Sequence, residues 1–378
     1  MKILHLVKTY FPHSQGGIEE VVRSFTEQYI KMGHDVTVVA CSPGGTKAYI
    51  DTYEGAKCFY FPQDFSVMSS PISFNLLKNI KMLVRDVDIV IAHTPWPLVD
   101  LIAYLLPENV SLVIFYHSDS ISPVFFGLLE KGYNFFHKKT LSKASSIIVT
   151  SPKYLSNSRY LKPFSNKVSV IPLGINIKNY QTFKLSDMDC YLSSIGLENN
   201  NFILFLGALR KYKGIQILIE AANICNLPIV VAGSGDDLEF YKSLSKSENT
   251  CFLGRVSDQE KNMLMSACRF FVFPSINRAE AFGVVLLEAS LNAKAMLTTE
   301  LYTGTSYVNL NNETGIVIAP NDSDLLASEM TQLFFSDQLE QYGKNSLLRV
   351  NSEFNISKLA KMHVSLFESI SINDRLLS

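Results

Sequence analysis

Short runs rich in β-branched and aromatic residues alternate with amphipathic stretches along almost the whole chain. In the first half the apolar runs are 3–7, 36–40, 58–61, 89–92, 112–116, 146–150 and 168–171; in the second half they are 202–207, 229–232, 250–253, 270–274, 295–298 and 315–318. Most show no polar alternation, as expected of strands covered on both faces. Between them, apolar positions three and four apart share a face: Val22, Phe25, Tyr29 and Met32 in one segment, and Leu325, Leu326, Met330 and Leu333 in another, interrupted by Glu329. Such alternation predicts α/β architecture, with parallel sheets wound by helices on both sides.

The series pauses after Ile171-Pro172-Leu173-Gly174, and residues 176–201 are polar with little periodicity. A second series opens at Phe202. The expected division is an N-terminal Rossmann-like domain over 1–174 and a second over 175–355. A helix in 356–378 completes the first domain, with Leu359, Met362, Leu366 and Phe367 as its apolar stripe. Two such domains facing each other would gather strand ends and loops around a central cleft.

Length agrees: 378 residues correspond to two domains at roughly 150 residues each. Hydrophobic content of 47% against 18% charged residues describes large cores. A formal net charge of −1 gives no drive toward nucleic acid. Six cysteines without C-x-x-C spacing read as reduced thiols of a cytoplasmic protein. Residues 1–7 read as a first strand rather than a secretion signal, and no stretch reaches the ~20 apolar residues that cross a bilayer.

The chemistry gathers at predicted strand ends. Phe270-Phe271-Val272-Phe273-Pro274 is followed by Glu280-Ala281-Phe282-Gly283-Val284 and, on the ensuing helix, Glu288. A helix opening near Gly283 aims unpaired amides and a positive dipole end at any anion beside it. The flanking Val284, Val285, Leu286 and Leu287 argue against a simple surface helix. After the run 202–207 come Arg210, Lys211 and Lys213, just before a helix at 215–222. Cations there oppose the helix dipole, so a diphosphate suits them better than helix stability does. Gly233 and Gly235 follow the next run, but Leu238 stands where a dinucleotide fingerprint needs its third glycine. His117 follows the run 112–116, where an imidazole could donate to a hydroxyl or to developing charge. His5 and His93 hold similar places with weaker cases. Gly16-Gly17 precedes a helix at 18–32 and reads either as a ligand-facing loop or as an ordinary turn. No cluster has metal-ligand spacing, and no cofactor is expected.

The chain resembles the retaining glycosyltransferases of family 4, with the GT-B architecture of two facing Rossmann-like domains. The likeness rests on Gly16-Gly17-Ile18-Glu19, Met32-Gly33-His34-Asp35-Val36-Thr37-Val38, Val170-Ile171-Pro172-Leu173-Gly174-Ile175 and the glutamates 280 and 288 with seven residues between them. It implies a donor site in which Glu280 contacts the sugar and the backbone of Ala281, Phe282, Gly283 and Val284 reaches sugar and phosphate. Glu288 would hold the ribose diol, Arg210 and Lys213 the diphosphate, and Arg255-Val256 would lie near the base, with Gly233 and Gly235 in the donor site. His117 would line the reaction centre, and Gly16 and Gly17 would border the phosphate and acceptor. Many members carry arginine directly after the glycine at Gly207; here Ala208 stands there and Arg210 supplies the charge.

The segments 274–283 and 304–309 resemble bacterial mannosyl- and rhamnosyl-transferases of O-antigen and capsule assembly. The expected partners are a nucleoside diphosphate sugar, GDP-mannose first, and a polyprenyl-diphosphate-linked oligosaccharide. UDP-hexose or UDP-N-acetylhexosamine donors, and a nucleotide-sugar epimerase of the same architecture, are the alternatives. Phe125-Phe126-Gly127-Leu128-Leu129 with Lys131, Lys138, Lys139 and Lys143 reads either as a core helix with a solvated face or as a peripheral contact with the inner membrane.

Overall fold

The computed structural model describes residues 1–67, 70–119, 127–177 and 183–377, with the side chains of 127–133 and 373–377 outside the description. The chain forms two compact units, Met1–Leu173 with Ile356–Ser378, and Gly174–Asn355.

Unit 1 is built on β1 (Lys2–Leu6), β2 (Asp35–Ser42), β3 (Tyr49–Tyr53), β4 (Ala56–Pro62), a separate antiparallel pair β5 (Phe65–Val67) and β6 (Ser70–Ile72), then β7 (Ile89–Thr94), β8 (Ser111–Tyr116), β9 (Ser146–Val149) and β10 (Val168–Val170). The eight-stranded sheet runs β10-β9-β8-β7-β1-β2-β4-β3. Its pairings are parallel except for β3, which lies antiparallel to β4 at the edge. Every residue of β7, β8 and β9 is buried, which is why their sequences carry no polar alternation. β3, β5 and β6 escape the sequence reading because β3 and β5 are almost wholly exposed and so carry no buried hydrophobic pattern, while β6 is only three residues long.

Helix Gly17–Lys31 buries Val22, Phe25 and Tyr29. The C-terminal helix Ile356–Leu377 packs beside it on a stripe that keeps Leu359 and Phe367 of the expected one but not Met362, while Leu366 is half-buried. Leu359, Ala360, His363, Phe367 and Ile370 face inward, whereas Met362 is 42% exposed. A histidine takes the buried position because Tyr29 Oη lies 2.6 Å from His363 Nδ1 and the ring stacks on Phe25 at 4.4 Å.

Unit 2 is a six-stranded parallel sheet of β11 (Ile203–Leu206), β12 (Ile229–Ala232), β13 (Thr250–Gly254), β14 (Phe270–Phe273), β15 (Met296–Thr299) and β16 (Gly315–Ile318), in the order β13-β12-β11-β14-β15-β16. The chain winds outward from β11 to β13, crosses back, and continues from β14 to β16. β11 and β14 therefore flank the point where strand order reverses, and the loops beyond their C-terminal ends diverge there. In unit 1 the corresponding pair is β1 and β7.

Candidate active site

The switch-point loops of unit 2 are tied together. The Ile276 amide, after β14, donates to the Tyr212 carbonyl, after β11, at 2.9 Å. Gly214 caps the helix Ile215–Cys225 in the left-handed region (φ +73°), its α-carbon so close to the Pro274 carbonyl group that a side chain has no room. This packing brings Lys213 to Glu280, and the two form an ion pair between poorly exposed side chains. Lys213 Nζ also lies 4.6 Å from the centroid of the Phe273 ring.

Beyond Glu280 the backbone turns into the helix Val284–Leu291 through Gly283, at φ +78°. Among the described residues, the amides of Ala281, Phe282, Gly283, Val284 and Val285 donate to no protein acceptor. Five free amides at a helix start, beside a lysine, form a ready-made anion site. Two braces fix the turn: the Gly304 amide donates to the Ala281 carbonyl at 2.7 Å, and Arg278 donates to the Tyr302 carbonyl at 2.8 Å. Residues 302–304 thus brace the turn. Arg210 is exposed, and its guanidinium makes no ion pair or hydrogen bond among the described residues.

Glu288, one turn into the helix, pairs with Lys261 at 2.9 Å, and Asp258 stands 3.5 Å from the same ammonium. Burial works against charge on Lys261, yet the two carboxylates outweigh it and raise its pKa. Each glutamate of the pair thus carries its own lysine. Arg255 is exposed beyond β13, and Val256 is half-buried beside it. Gly233 and Gly235 are explained by the chain itself: a β-carbon on Gly235 would lie 2.5 Å from the Leu209 carbonyl oxygen, and one on Gly233 would fall on the Gly207 carbonyl.

Unit 1 holds His117 just past β8, buried to 7% exposure. His5 Nδ1 lies 2.9 Å from His93 Nε2, and His93 Nδ1 lies 2.8 Å from His117 Nε2. Strand register explains the row. His5 sits opposite Ile91 and His93 opposite Phe115, so each imidazole stands two residues further along its strand than the last, and the row climbs diagonally to the sheet's C-terminal edge. Gly16 and Gly17 open the helix Gly17–Lys31. Among the described residues, nothing beyond the helix's own backbone and the neighbouring residues lies within 4 Å of where a Gly17 side chain would begin, and φ does not require glycine there. Glu19, in the first turn, accepts from Thr9 Oγ1 at 2.6 Å. Burial lowers the pKa of the nearby Lys8, with Glu19 opposing.

Burial pushes His5, His117 and His363 down to about 3 and His93 well below its ordinary value; Lys8 adds to the effect at His117. In an unfolded chain these rings titrate near 6.5. Below that pH the unfolded chain takes up protons that the folded chain refuses, so stability falls as pH drops from about 6.5 toward 3, by about 1.4 kcal/mol per pH unit for each ring. Thermal melts should be nearly flat above pH 7 and decline steeply below 6.5; a profile flat down to pH 5 would contradict the neutral buried rings.

The family model for Glycosyltransferase Family 4 matches residues 15–179, and that for glycosyl transferases group 1 matches residues 193–347. O-antigen chain mannosyltransferase C of Escherichia coli is 33% identical over 98% of this chain and 99% of its own length. The chain belongs to glycosyltransferase family 4. It is a hexosyltransferase by class. A second relative of this glycosyltransferase, D-rhamnosyltransferase WbpZ of Pseudomonas aeruginosa, is 32% identical over 94% of this chain and 92% of its own. Among solved structures, HepE of Anabaena in complex with UDP matches with a TM-score of 0.77 at 19% identity, covering 98% of this chain and 100% of that one. Sucrose-phosphate synthase from Thermosynechococcus elongatus gives the same score and identity over 98% of both. These likenesses show the fold, GT-B.

Three features of this glycosyltransferase leave little signal in its sequence. Lys261, the partner of Glu288, lies on a helix whose capping box, Ser257 with Glu260, was the only local signal. The partner of Glu19, Thr9, lies in the loop before the helix, and no sequence spacing marks that contact. His5, His93 and His117 stand on or just past three strands that neighbour one another in the sheet, a relation that their positions in the sequence do not show.

Proposed function

We propose that the enzyme transfers mannose from GDP-mannose, with retention at the anomeric carbon, to a polyprenyl-diphosphate-linked oligosaccharide in bacterial surface-polysaccharide synthesis. The observation that carries this reading is the turn after β14: buried Glu280 held by Lys213, followed by five amides free to take an anion. The mannosyl- and rhamnosyl-transferases that match along nearly the full chain supply the sugar class.

In this reading the diphosphate draws Lys213 and Arg210 to itself and rests against the amides of Ala281 to Val285. Glu280 takes sugar hydroxyls, Glu288 the ribose diol, and Arg255-Val256 the neighbourhood of the base, with Gly233 and Gly235 as close-packed backbone behind the donor. The bond from the anomeric carbon to the diphosphate oxygen breaks, the acceptor oxygen bonds to that carbon, and its proton passes to the departing diphosphate. Lys213, Arg210 and the amides stabilise the charge that develops on the leaving group. Glu280 is not a nucleophile. Unit 1 takes the acceptor, with His117, Gly16 and Gly17 along it.

The enzyme acts in the cytoplasm, resting on the inner leaflet. Among the described residues no helix is long and apolar enough to cross a membrane. Helices Pro97–Leu105 and Gly127–Lys143 instead expose Leu101, Tyr104, Phe135 and Phe136, with Lys138 and Lys139 beside them. Lys139 Nζ sits 4.4 Å from the Phe135 ring centroid and 5.5 Å from that of Tyr104. Aromatic rings interleaved with lysines suit an anionic lipid surface. Phe125 and Phe126 lie outside the described residues, as do the side chains of Leu128, Leu129 and Lys131.

The test is incubation with labelled GDP-mannose, UDP-glucose, UDP-galactose and UDP-N-acetylglucosamine, with and without lipid-linked acceptor on anionic vesicles, following nucleotide release, product mass and sedimentation. GDP-mannose should give a glycosylated lipid, and the protein should sediment at low salt. A UDP sugar as the preferred donor, an epimerised or free sugar formed without acceptor, or no sedimentation would each overturn the corresponding part.

A further inference from the structure

We propose that His5 and His93 are positioning residues that hold His117 as its Nδ1–H tautomer, so that the ring offers a hydrogen-bond donor at the C-terminal edge of the unit 1 sheet. A neutral imidazole carries one N–H and one lone pair. Three such rings joined in a row, as His5 Nδ1 to His93 Nε2 and His93 Nδ1 to His117 Nε2, have only two consistent arrangements, because each ring that donates at one nitrogen must accept at the other.

The inner end of the row decides between them. His5 Nε2 is buried and has no partner among the described residues. If the hydrogens ran from His117 inward, that nitrogen would carry a buried N–H with no acceptor. If they run outward, it carries only an unused lone pair, the lesser cost. The outward order puts the hydrogen of His5 on Nδ1, that of His93 on Nδ1, and leaves His117 Nε2 as an acceptor and Nδ1 as the donor. His117 Nδ1 has no protein partner among the described residues and, unlike His5 Nε2, is not sealed among the buried orphan atoms.

Ring packing holds the geometry. Phe115 stacks on His93 at 5.3 Å and on His117 at 4.7 Å, and Tyr29 covers His5 at 5.9 Å. Burial keeps all three rings neutral across the physiological range, so the donor at His117 is not converted to a cation by mild acid. A ligand atom facing it has to be an acceptor, such as a hydroxyl or phosphate oxygen.

The tautomer is read by long-range ¹⁵N–¹H correlation on the full chain labelled at its seven histidines. At pH 7, His117 should show a protonated Nδ1 and an unprotonated Nε2; an Nε2–H ring or an imidazolium would overturn the inference without need of any variant. In His93→Leu the His117 ring should lose its single tautomer, and an unchanged ring there would equally overturn it. His93→Asn, whose side-chain N–H can stand in for Nδ1–H, should restore the tautomer. The effect on turnover rests on the reading of His117 as part of the reaction centre. On that reading His93→Leu loses about 10- to 100-fold in kcat with KM little changed, and His93→Asn recovers most of it. A tautomer that responds while turnover does not would leave the histidine row standing and overturn that reading of His117.

Discussion

Lys213→Ala is expected to lower hexose transfer by about 10²- to 10³-fold, chiefly in kcat, the range seen when one preorganised donor to a developing oxyanion is removed. Lys213 is the cation that the β11 and β14 loops hold against Glu280, at the opening of the amide-rich turn. Arg210, exposed on the same loop, has no comparable anchor and cannot be preorganised in the same way. The substitution also strands the Glu280 carboxylate, at 7% exposure, and breaking a buried pair costs about 3–5 kcal/mol. Activity and stability must therefore be separated. Adding Glu280→Gln removes the uncompensated charge, so the double variant should regain much of the lost melting temperature while transfer stays low. Near-normal transfer by Lys213→Ala, measured as acceptor-dependent nucleotide release at saturating donor, would remove Lys213 from the reaction. Recovery of transfer in the double variant would show that the single variant had merely been unstable.

The alternation of apolar runs with helical faces made the two sheets legible, because strands buried on both sides are dominated by apolar residues, with only a few buried polar ones such as His5 and His93. The start of the helix Val284–Leu291 was legible for a local reason: Pro274 ends β14 and Gly283 permits the left-handed cap. What lay beyond reach were relations set by strand order. Lys213 and Glu280 are 67 positions apart and meet only because β14 returns to lie beside β11. The histidine row needs the neighbours β1, β7 and β8 in register, although the chain visits β2 to β6 between the first two. Lys261 was hidden because a lysine on the polar face of an amphipathic helix looks alike whether or not a second helix presents a carboxylate to it. At the C-terminal helix the hydrophobic pattern itself misled, since His363 takes a core position through its contact with Tyr29 and leaves the more apolar Met362 outside. Gly233 and Gly235, expected in the donor site, have a further reason to be glycine that the sequence does not show: an added β-carbon would meet the carbonyls of Gly207 and Leu209.

Gly214→Ala is expected to lower stability by about 3 kcal/mol, a fall of roughly 10 °C in melting temperature for a unit of this size, and to reduce transfer with it. Two costs combine. The backbone is in the left-handed region at φ +73°, which a side chain resists. The new β-carbon would also fall on the Pro274 carbonyl group, 2.9 Å from its carbon, and come within 3.1 Å of Ile276 Cγ2. The first obstacle is backbone, not the end of a flexible side chain, so relief requires the β11 and β14 exits to separate, straining the Ile276 to Tyr212 hydrogen bond and drawing Lys213 from Glu280. Gly196 offers the matched control: its φ is +72°, and among the described residues nothing apart from its chain neighbours lies within 4 Å of where its β-carbon would stand. Gly196→Ala should therefore incur only the conformational cost, about 1 kcal/mol, and Gly196→Asn should be close to neutral, since asparagine tolerates the left-handed region. At Gly214 asparagine should give no such relief, because it carries the same β-carbon into the same carbonyl. Equal melting temperatures for Gly214→Ala and Gly196→Ala would show that the two loops part without cost, and the close seating of Lys213 against Glu280 would then not depend on glycine at 214.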